Sequence, residues 1–302
     1  MKVSYSAVDI CNERLTLRVA CLATLMAVLW GGNNIAIKFS LDGIPPFALA
    51  GIRFLLGSLI VLVWVYMDRV SLKMESGEKG SLFLLAFLFT AQISLLNVGI
   101  HNTLAGRSTI LISTHPFFIG IFAHILLSGD RMKPLKILGM TLSFLGVVFI
   151  FAESFVLKDF QYLLGDFLML GSALLLGLRL VYIKRLTQGI HPGRLLLWQA
   201  ALSIPMFFLF SLIFEGNFVY NLNAKIAAGI FYQGVIIAGI GFIVSTKLYQ
   251  RYVASHVGVF HFATPIIGVI FSNILLGEGI SLGLIGSMIL VALGIAIVNH
   301  SG

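Results

Sequence analysis

The sequence predicts an all-α polytopic membrane protein of about ten transmembrane helices, arranged as two inverted five-helix repeats. Three observations predict it. Of the 302 residues, 59% are hydrophobic and 11% are charged, against roughly 45–50% and 25% in soluble domains, and the mean hydropathy is +1.02. Apolar runs recur along the chain, each close to the roughly 20 residues that a helix needs to cross about 30 Å of hydrocarbon. The chain also repeats itself at an offset near half its length. The runs lack strand alternation, and a lone helix satisfies its own backbone in lipid, so helices are favoured over a barrel.

The first five spans are expected near 18–37, 47–67, 81–100, 104–127 and 135–151. The second five are expected near 164–183, 195–214, 226–247, 253–276 and 280–298. The fifth is short, and only Gly277, Glu278 and Gly279 part the last two. The chain then divides into a cytoplasmic N-terminal segment (1–17), a first repeat (18–151), an extracytoplasmic connector (152–163) and a second repeat (164–299). The first run is long for a signal-peptide core and ends in Trp-Gly-Gly-Asn-Asn, with Lys38 beyond and no small-x-small cleavage site, so it is read as a span. Cys11 and Cys21 are the only cysteines, too few for a disulfide framework or a zinc pattern.

The net charge of +8 follows topology. With the N-terminus in the cytoplasm, the inner segments hold Lys2, Arg14, Arg18, Arg69, Lys73, Lys79, Arg131, Lys133, Lys136, Lys184, Arg185, Arg194, Lys247 and Arg251. The outer ones hold Lys38, Arg107, Lys158 and Lys225. This bias places both termini in the cytoplasm of a multi-pass protein of the cell inner (plasma) membrane. No basic stripe is present, so no nucleic-acid partner is expected.

A shift of 146 residues sets Lys38 on Lys184 and Pro46 on Pro192, and one near 149 sets Ala105 on Ala254 and Pro116 on Pro265. Gly139 and Gly146 are answered by Gly286 and Gly294. Five spans per half is an odd number, so the second half enters the membrane inverted. Such repeats suit transport, because two similar halves that exchange conformations turn an inward-open cavity outward. Duplication retained for packing is the other reading.

Each half carries a set of short motifs. In the first half they are Leu29-Trp30-Gly31-Gly32-Asn33 with Ile37-Lys38, Pro45-Pro46 with Arg53, and Pro116 followed by Gly129-Asp130-Arg131. In the second they are Gly165-Asp166, Pro265, Leu276-Gly277-Glu278 and the glycine-spaced last helix. In this order they resemble the EamA-type branch of the drug/metabolite transporter superfamily, over nearly the whole chain after about residue 15. The resemblance implies ten helices in two EamA-type repeats, transport of small organic molecules, often efflux, and a cavity lined by helices 1, 3, 4, 6, 8 and 9. Asp130 stands where the family usually has Glu, and Leu176 where the second half usually has Trp; these departures leave subfamily and substrate open.

Polar groups at membrane depth are costly and usually face an interior or a cavity. The acids lie at span ends, which disfavours carboxylate-driven coupling. His115 and His261, at corresponding places in the fourth and ninth spans, can bind substrate or relay protons, or be satisfied by a neighbouring helix. Trp30, Asn33 and Asn34 form a cavity wall or a packing seam. Gln92, Asn97 and Gln233 suit a zwitterion or serve as interhelical glue. Pro116 and Pro265 free backbone carbonyls and permit kinks or gating. Arg53 is expected to pair within the protein, and Arg179 to snorkel or attract an anion.

A membrane enzyme would want a constellation such as His-Glu-x-x-His, and none is present. The chain has no P-loop, and no cofactor or metal is expected. A receptor or scaffold would want a soluble domain. The expected function is therefore secondary transport of small organic metabolites, led by efflux of amino acids or related metabolites. Uptake or exchange of nucleotide-like metabolites is the alternative within transport. The expected partners are a small-molecule substrate and the lipid bilayer, with a homodimer possible.

Overall fold

The computed structural model describes residues 17–75, 77–126, 134–156, 160–187, 189–216, 219–251 and 263–300, and every regular element among them is helical. The first half contributes α1 (Leu17–Leu41), α2 (Pro46–Met67), α3 (Lys79–His101), α4 (Ala105–Ile112), α5 (His115–Leu126) and α6 (Pro134–Val156). After a 3-10 turn at Phe160–Tyr162 come α7 (Leu163–Leu186) and α8 (Pro192–Phe214). Next are α9 (Ala224–Phe231), a π-helical segment (Tyr232–Gly241) and α10 (Phe242–Arg251). Finally come α11 (Ala263–Leu276) and α12 (Leu282–His300).

Among the described residues seven helical stretches are long and apolar enough to cross a membrane, counting α4 with α5, the 3-10 turn with α7, and α9 with the π segment and the start of α10 as one each. Ile137–Glu153, Ala263–Leu276 and Leu282–Ile297 are shorter apolar helices. α6 runs to Val156, beyond the 135–151 expected for it.

Helix starts follow local chemistry. α2 and α8 each open on proline, whose missing N–H costs nothing in a first turn and whose fixed φ suits it. His191 caps α8 by accepting from the Gly193 N–H at 3.1 Å. The fourth span is interrupted at Ser113 and Thr114, and Pro116 sits in the first turn of α5 just beyond. Thr114 Oγ1 donates to Leu111 O and Thr114 O accepts from Phe117 N, which satisfies the broken ladder. Pro265 lies in the first turn of α11. Pro205 is carried inside α8, a position that sequence reasoning did not single out.

The two halves interlock reciprocally. α6 packs on α12, α2 on α8, and α4 on α11. α1 packs on α11 as α7 does on α5, and α2 packs on the π segment as α8 does on α3. Each helix thus takes from the other half the neighbour that its counterpart takes in return. Small residues permit the close seams: a Cβ on Gly146 would fall 2.7 Å from Val291 Cγ2, and one on Gly294 would overlap Ser143. At the centre, the rings of Phe54 and Phe89 meet edge to face at 4.6 Å, with Phe207 at 6.0 Å from Phe54.

Candidate functional site

At the distal end of the bundle, α1 closes at Leu41, α2 opens at Pro46, α3 closes at His101, and α7 and α9 open at Leu163 and Ala224. Counting inward, Arg53 lies seven residues from its helix end, Asn33 eight, and Gln92, Ser172 and Gln233 nine. At 1.5 Å per residue these side chains occupy one layer about 10–14 Å deep. All five residues are at most 6% exposed.

Within this layer the two glutamine amides are half-satisfied. Gln233 Nε2 donates to Ala36 O at 2.9 Å and to Ser40 Oγ at 2.8 Å, tying the π segment to α1. Gln92 Nε2 donates to Ser172 Oγ at 3.0 Å, and that hydroxyl donates back to Gln92 O, tying α3 to α7. These partners fix which amide atom is nitrogen. The remaining acceptors, Asn33 Oδ1, Gln92 Oε1 and Gln233 Oε1, are buried without a donor. Asn97, one turn nearer the distal end, repeats the pattern: its Nδ2 donates to Pro46 O at 2.8 Å and its Oδ1 is orphaned. Buried polar atoms are nearly always paired, so four orphaned amide oxygens on α1, α3 and the π segment make a concentration of unused acceptors.

The other sequence-predicted residues are placed differently. Asn34 Nδ2 donates to Ser108 Oγ at 3.1 Å, joining α1 to α4. The Trp30 ring is half-buried and stacks on Phe242 at 5.5 Å, among Met26, Leu29, Val244 and Leu248. His115 is half-buried with Nδ1 3.0 Å from Ile112 O, at the helix break. His261 lies outside the described residues.

Two buried arginines flank the aromatic centre. The Arg179 guanidinium stands 4.9 Å from the Phe89 centroid and donates to Gln199 Oε1 at 3.0 Å, so it reaches across α3 to α8 rather than to the interface. Arg53 stands 4.6 Å from the Phe54 centroid. The protein partner expected for it is not found: among the described residues it makes no hydrogen bond or ion pair, and its Nε is a buried orphan.

Distal to the layer lies a charge network that sequence reasoning did not assemble. Arg107 on α4 grips both oxygens of Asp166 on α7, which also accepts from Thr103 Oγ1 at 2.6 Å. Arg107 donates further to Ile150 O and lies 3.8 Å from Glu153. Glu278 takes the free N–H groups of Ala105 and Gly106 at the start of α4, at 2.7 and 2.9 Å. Glu215 takes those of Phe47 and Ala48 at the start of α2, at 2.8 and 3.1 Å. Anions are favoured at such helix starts. Lys38 donates to the α3-end carbonyls of Ile100, His101 and Thr103. Three carboxylates of the second half are thus seated on the first. Gly277, at φ +70, makes the left-handed turn that aims Glu278 back at α4.

At the proximal end, Arg194 pairs with Glu78 and donates to Lys73 O at 3.2 Å, and Trp198 Nε1 donates to Leu72 O at 3.0 Å.

A family model described as the EamA-like transporter family matches twice, over residues 17–152 and 163–300. An uncharacterized transporter, YvbV, of Bacillus subtilis is 28% identical over 93% of this chain and 92% of its own length. A "Probable amino-acid metabolite efflux pump" of Escherichia coli K12 is 26% identical over 85% of this chain and 86% of its own. A protein chain solved by crystallography superposes with a TM-score of 0.68 over 94% of this chain and 98% of that one, at 17% identity, which shows a shared fold. With two matches that together span nearly the whole chain, one per half, this protein belongs to the EamA-like transporter family.

Proposed function

We propose that this chain exports amino acids or closely related metabolites by alternating access, through ten spans in two inverted repeats of the inner (plasma) membrane, with both termini cytoplasmic. The observation that carries the reading is the layer of buried amides whose oxygens have no donor, on helices of both halves. A substrate ammonium group offers three donors to such acceptors. The name of the Escherichia coli relative points the same way.

In this topology the distal end faces out, and the seating of Asp166, Glu215 and Glu278 on the first half closes it. Asn33, Gln92, Asn97 and Gln233 hold the substrate, with Asn34 bracing α1 against α4. Trp30 and His115, eleven and ten residues from the distal ends of their spans, lie at the proximal edge of the layer. The break before Pro116 and the first turn at Pro265 are where α5 and α11 swing. Opening outward requires the three carboxylates to leave their seats.

The test is counterflow of labelled amino acids and nucleotides into proteoliposomes of the purified protein, with and without a pH gradient. Saturable amino-acid flux that falls in Gln92→Leu and Gln233→Leu supports the reading. Nucleotide flux alone, or no saturable flux from folded protein, overturns it.

A further inference from the structure

Arg53 is a full positive charge in the polar layer, 3% exposed, with its guanidinium over the Phe54 ring face. Removing a guanidinium from water is costly, and a lone aromatic face returns only part of that cost. The close packing of α2 on the π segment sets its neighbourhood. A Cβ on Gly234 would come within 3.0 Å of Arg53 O and 2.9 Å of Leu56 Cβ, so the turn that carries Arg53 lies against the turn that carries Gln233. Gln233 in turn is bonded to α1 at Ala36 and Ser40, three and seven residues beyond Asn33 on the same helix face.

We propose that Arg53 is the anion anchor of the binding layer and takes the substrate's carboxylate, while the orphaned oxygens of Asn33, Gln92 and Gln233 take its ammonium. The planar fork of guanidinium matches a carboxylate in two parallel hydrogen bonds. Arg53 supplies the layer's charged donors, and the three amides supply acceptors. An α-amino acid, with both charged groups on one carbon, satisfies both sets together. Arg179 is the weaker choice, because Gln199 already occupies one of its nitrogens and it lies sixteen residues from the distal start of α7.

This inference rests on the amino-acid reading above, and the test separates the two. Full-length protein in lipid nanodiscs is titrated by thermal shift and calorimetry with the twenty L-amino acids, their 2-oxo acids, their amides and their decarboxylated amines. The expected result is binding of one or more acids, little or none by the matched amide and amine, and a loss of about ten- to a hundred-fold in affinity in Arg53→Gln. Arg53→Lys, which keeps the charge and loses the fork, falls between. Binding of 2-oxo acids without amino acids, lost in Arg53→Gln, upholds the anchor and sinks the amino-acid reading. An amide that binds as well as its acid, in wild type alone, overturns the anchor even if Arg53→Gln fails to fold. So does Arg53→Gln protein that binds the acid unchanged. No binding by any carboxylate overturns both.

Discussion

The guanidinium of Arg107 on α4 closes onto both carboxylate oxygens of Asp166 on α7, and the two side chains are 7% and 0% exposed. The pair joins the two repeats and is buried by the protein around it. Removing one partner strands the other, so Arg107→Ala should cost about 3–5 kcal/mol. Glu153, farther from Arg107 and more exposed, should cost under about 1 kcal/mol as Glu153→Gln. Thermal unfolding in detergent, read by tryptophan fluorescence, checks the order. Equal losses for the two variants would mean that Glu153, not Asp166, carries the pairing.

Glu278 satisfies two N–H groups of α4 that have no partner within the helix. Glu278→Ala should therefore cost about 1–2 kcal/mol and loosen the distal closure. The closure can be read at Ser272, 1% exposed, whose Oγ would lie 2.7 Å from a Cβ on Gly106. Ser272→Cys should react slowly with an impermeant maleimide added from the distal side, and several times faster when combined with Glu278→Ala. An unchanged labelling rate would show that Glu278 does not hold this end shut.

α4 and α11 touch through Thr109 and Gly268, where an added Cβ would overlap the threonine methyl and lie 2.7 Å from its Cβ. Gly268→Ala should destabilise by about 1–3 kcal/mol through overpacking. Thr109→Gly opens the space, so the double variant should be more stable than the sum of the singles predicts, by about 0.5–3 kcal/mol. Strict additivity would place the strain elsewhere.

What was legible in the sequence follows from the solvent. Lipid makes every polar side chain at depth conspicuous, so Asn33, Gln92, Asn97 and Gln233 stood out by position alone, and the structure buries all four. The pairing of charges was not legible. Arg107 and Asp166 lie 59 residues apart, and each reads by itself as a charge at a span end. Only the reciprocal packing of the halves brings them together. Glu278 came closest to being readable, since glycine before an acid after an apolar helix is a helix stop; its target, the start of α4, is 172 residues away. The expected partner of Arg53 rested on the rule that buried charge is paired, and the structure breaks that rule within the polar layer. The π segment carries no breaker at its start, so nothing in Phe231-Tyr232-Gln233 announces it.

His191 stands at the proximal end outside the spans, with Nδ1 accepting from the Gly193 N–H, which requires the neutral ring. Burial holds its imidazole below the ordinary 6.5, with Asp68 opposing and Arg194 adding to the shift. The folded protein therefore takes up this proton less readily than the unfolded chain. The stability it contributes is complete above pH 6.5 and declines as pH falls below that value toward the folded one. The ring is exposed at the surface, so solvent screens Asp68 and Arg194 and the decline is shallow. His191→Asn keeps a capping oxygen and does not titrate. Melting temperatures from pH 7.5 to 5.5 should fall slightly further for wild type than for His191→Asn; parallel curves would remove the cap from the pH response.

Trp30 separates packing from binding. Its ring stacks on Phe242 at 5.5 Å, inclined by 22°, and joins a cluster with Met26 and Leu248 on the proximal side of the layer. Being half-buried, it should lose about 2 kcal/mol as Trp30→Ala, below the 3–5 kcal/mol of a fully buried ring. Trp30→Phe keeps the stack and should recover most of that loss. If the ring serves packing, Trp30→Phe transports the same substrates at near wild-type rate, whereas Asn33→Leu in the same helix loses affinity with little change in melting temperature. If the ring is a wall of the substrate path, Trp30→Phe changes which substrates compete while stability recovers. Flux competition beside thermal unfolding, on the same three preparations, distinguishes the two because packing and binding move different readouts.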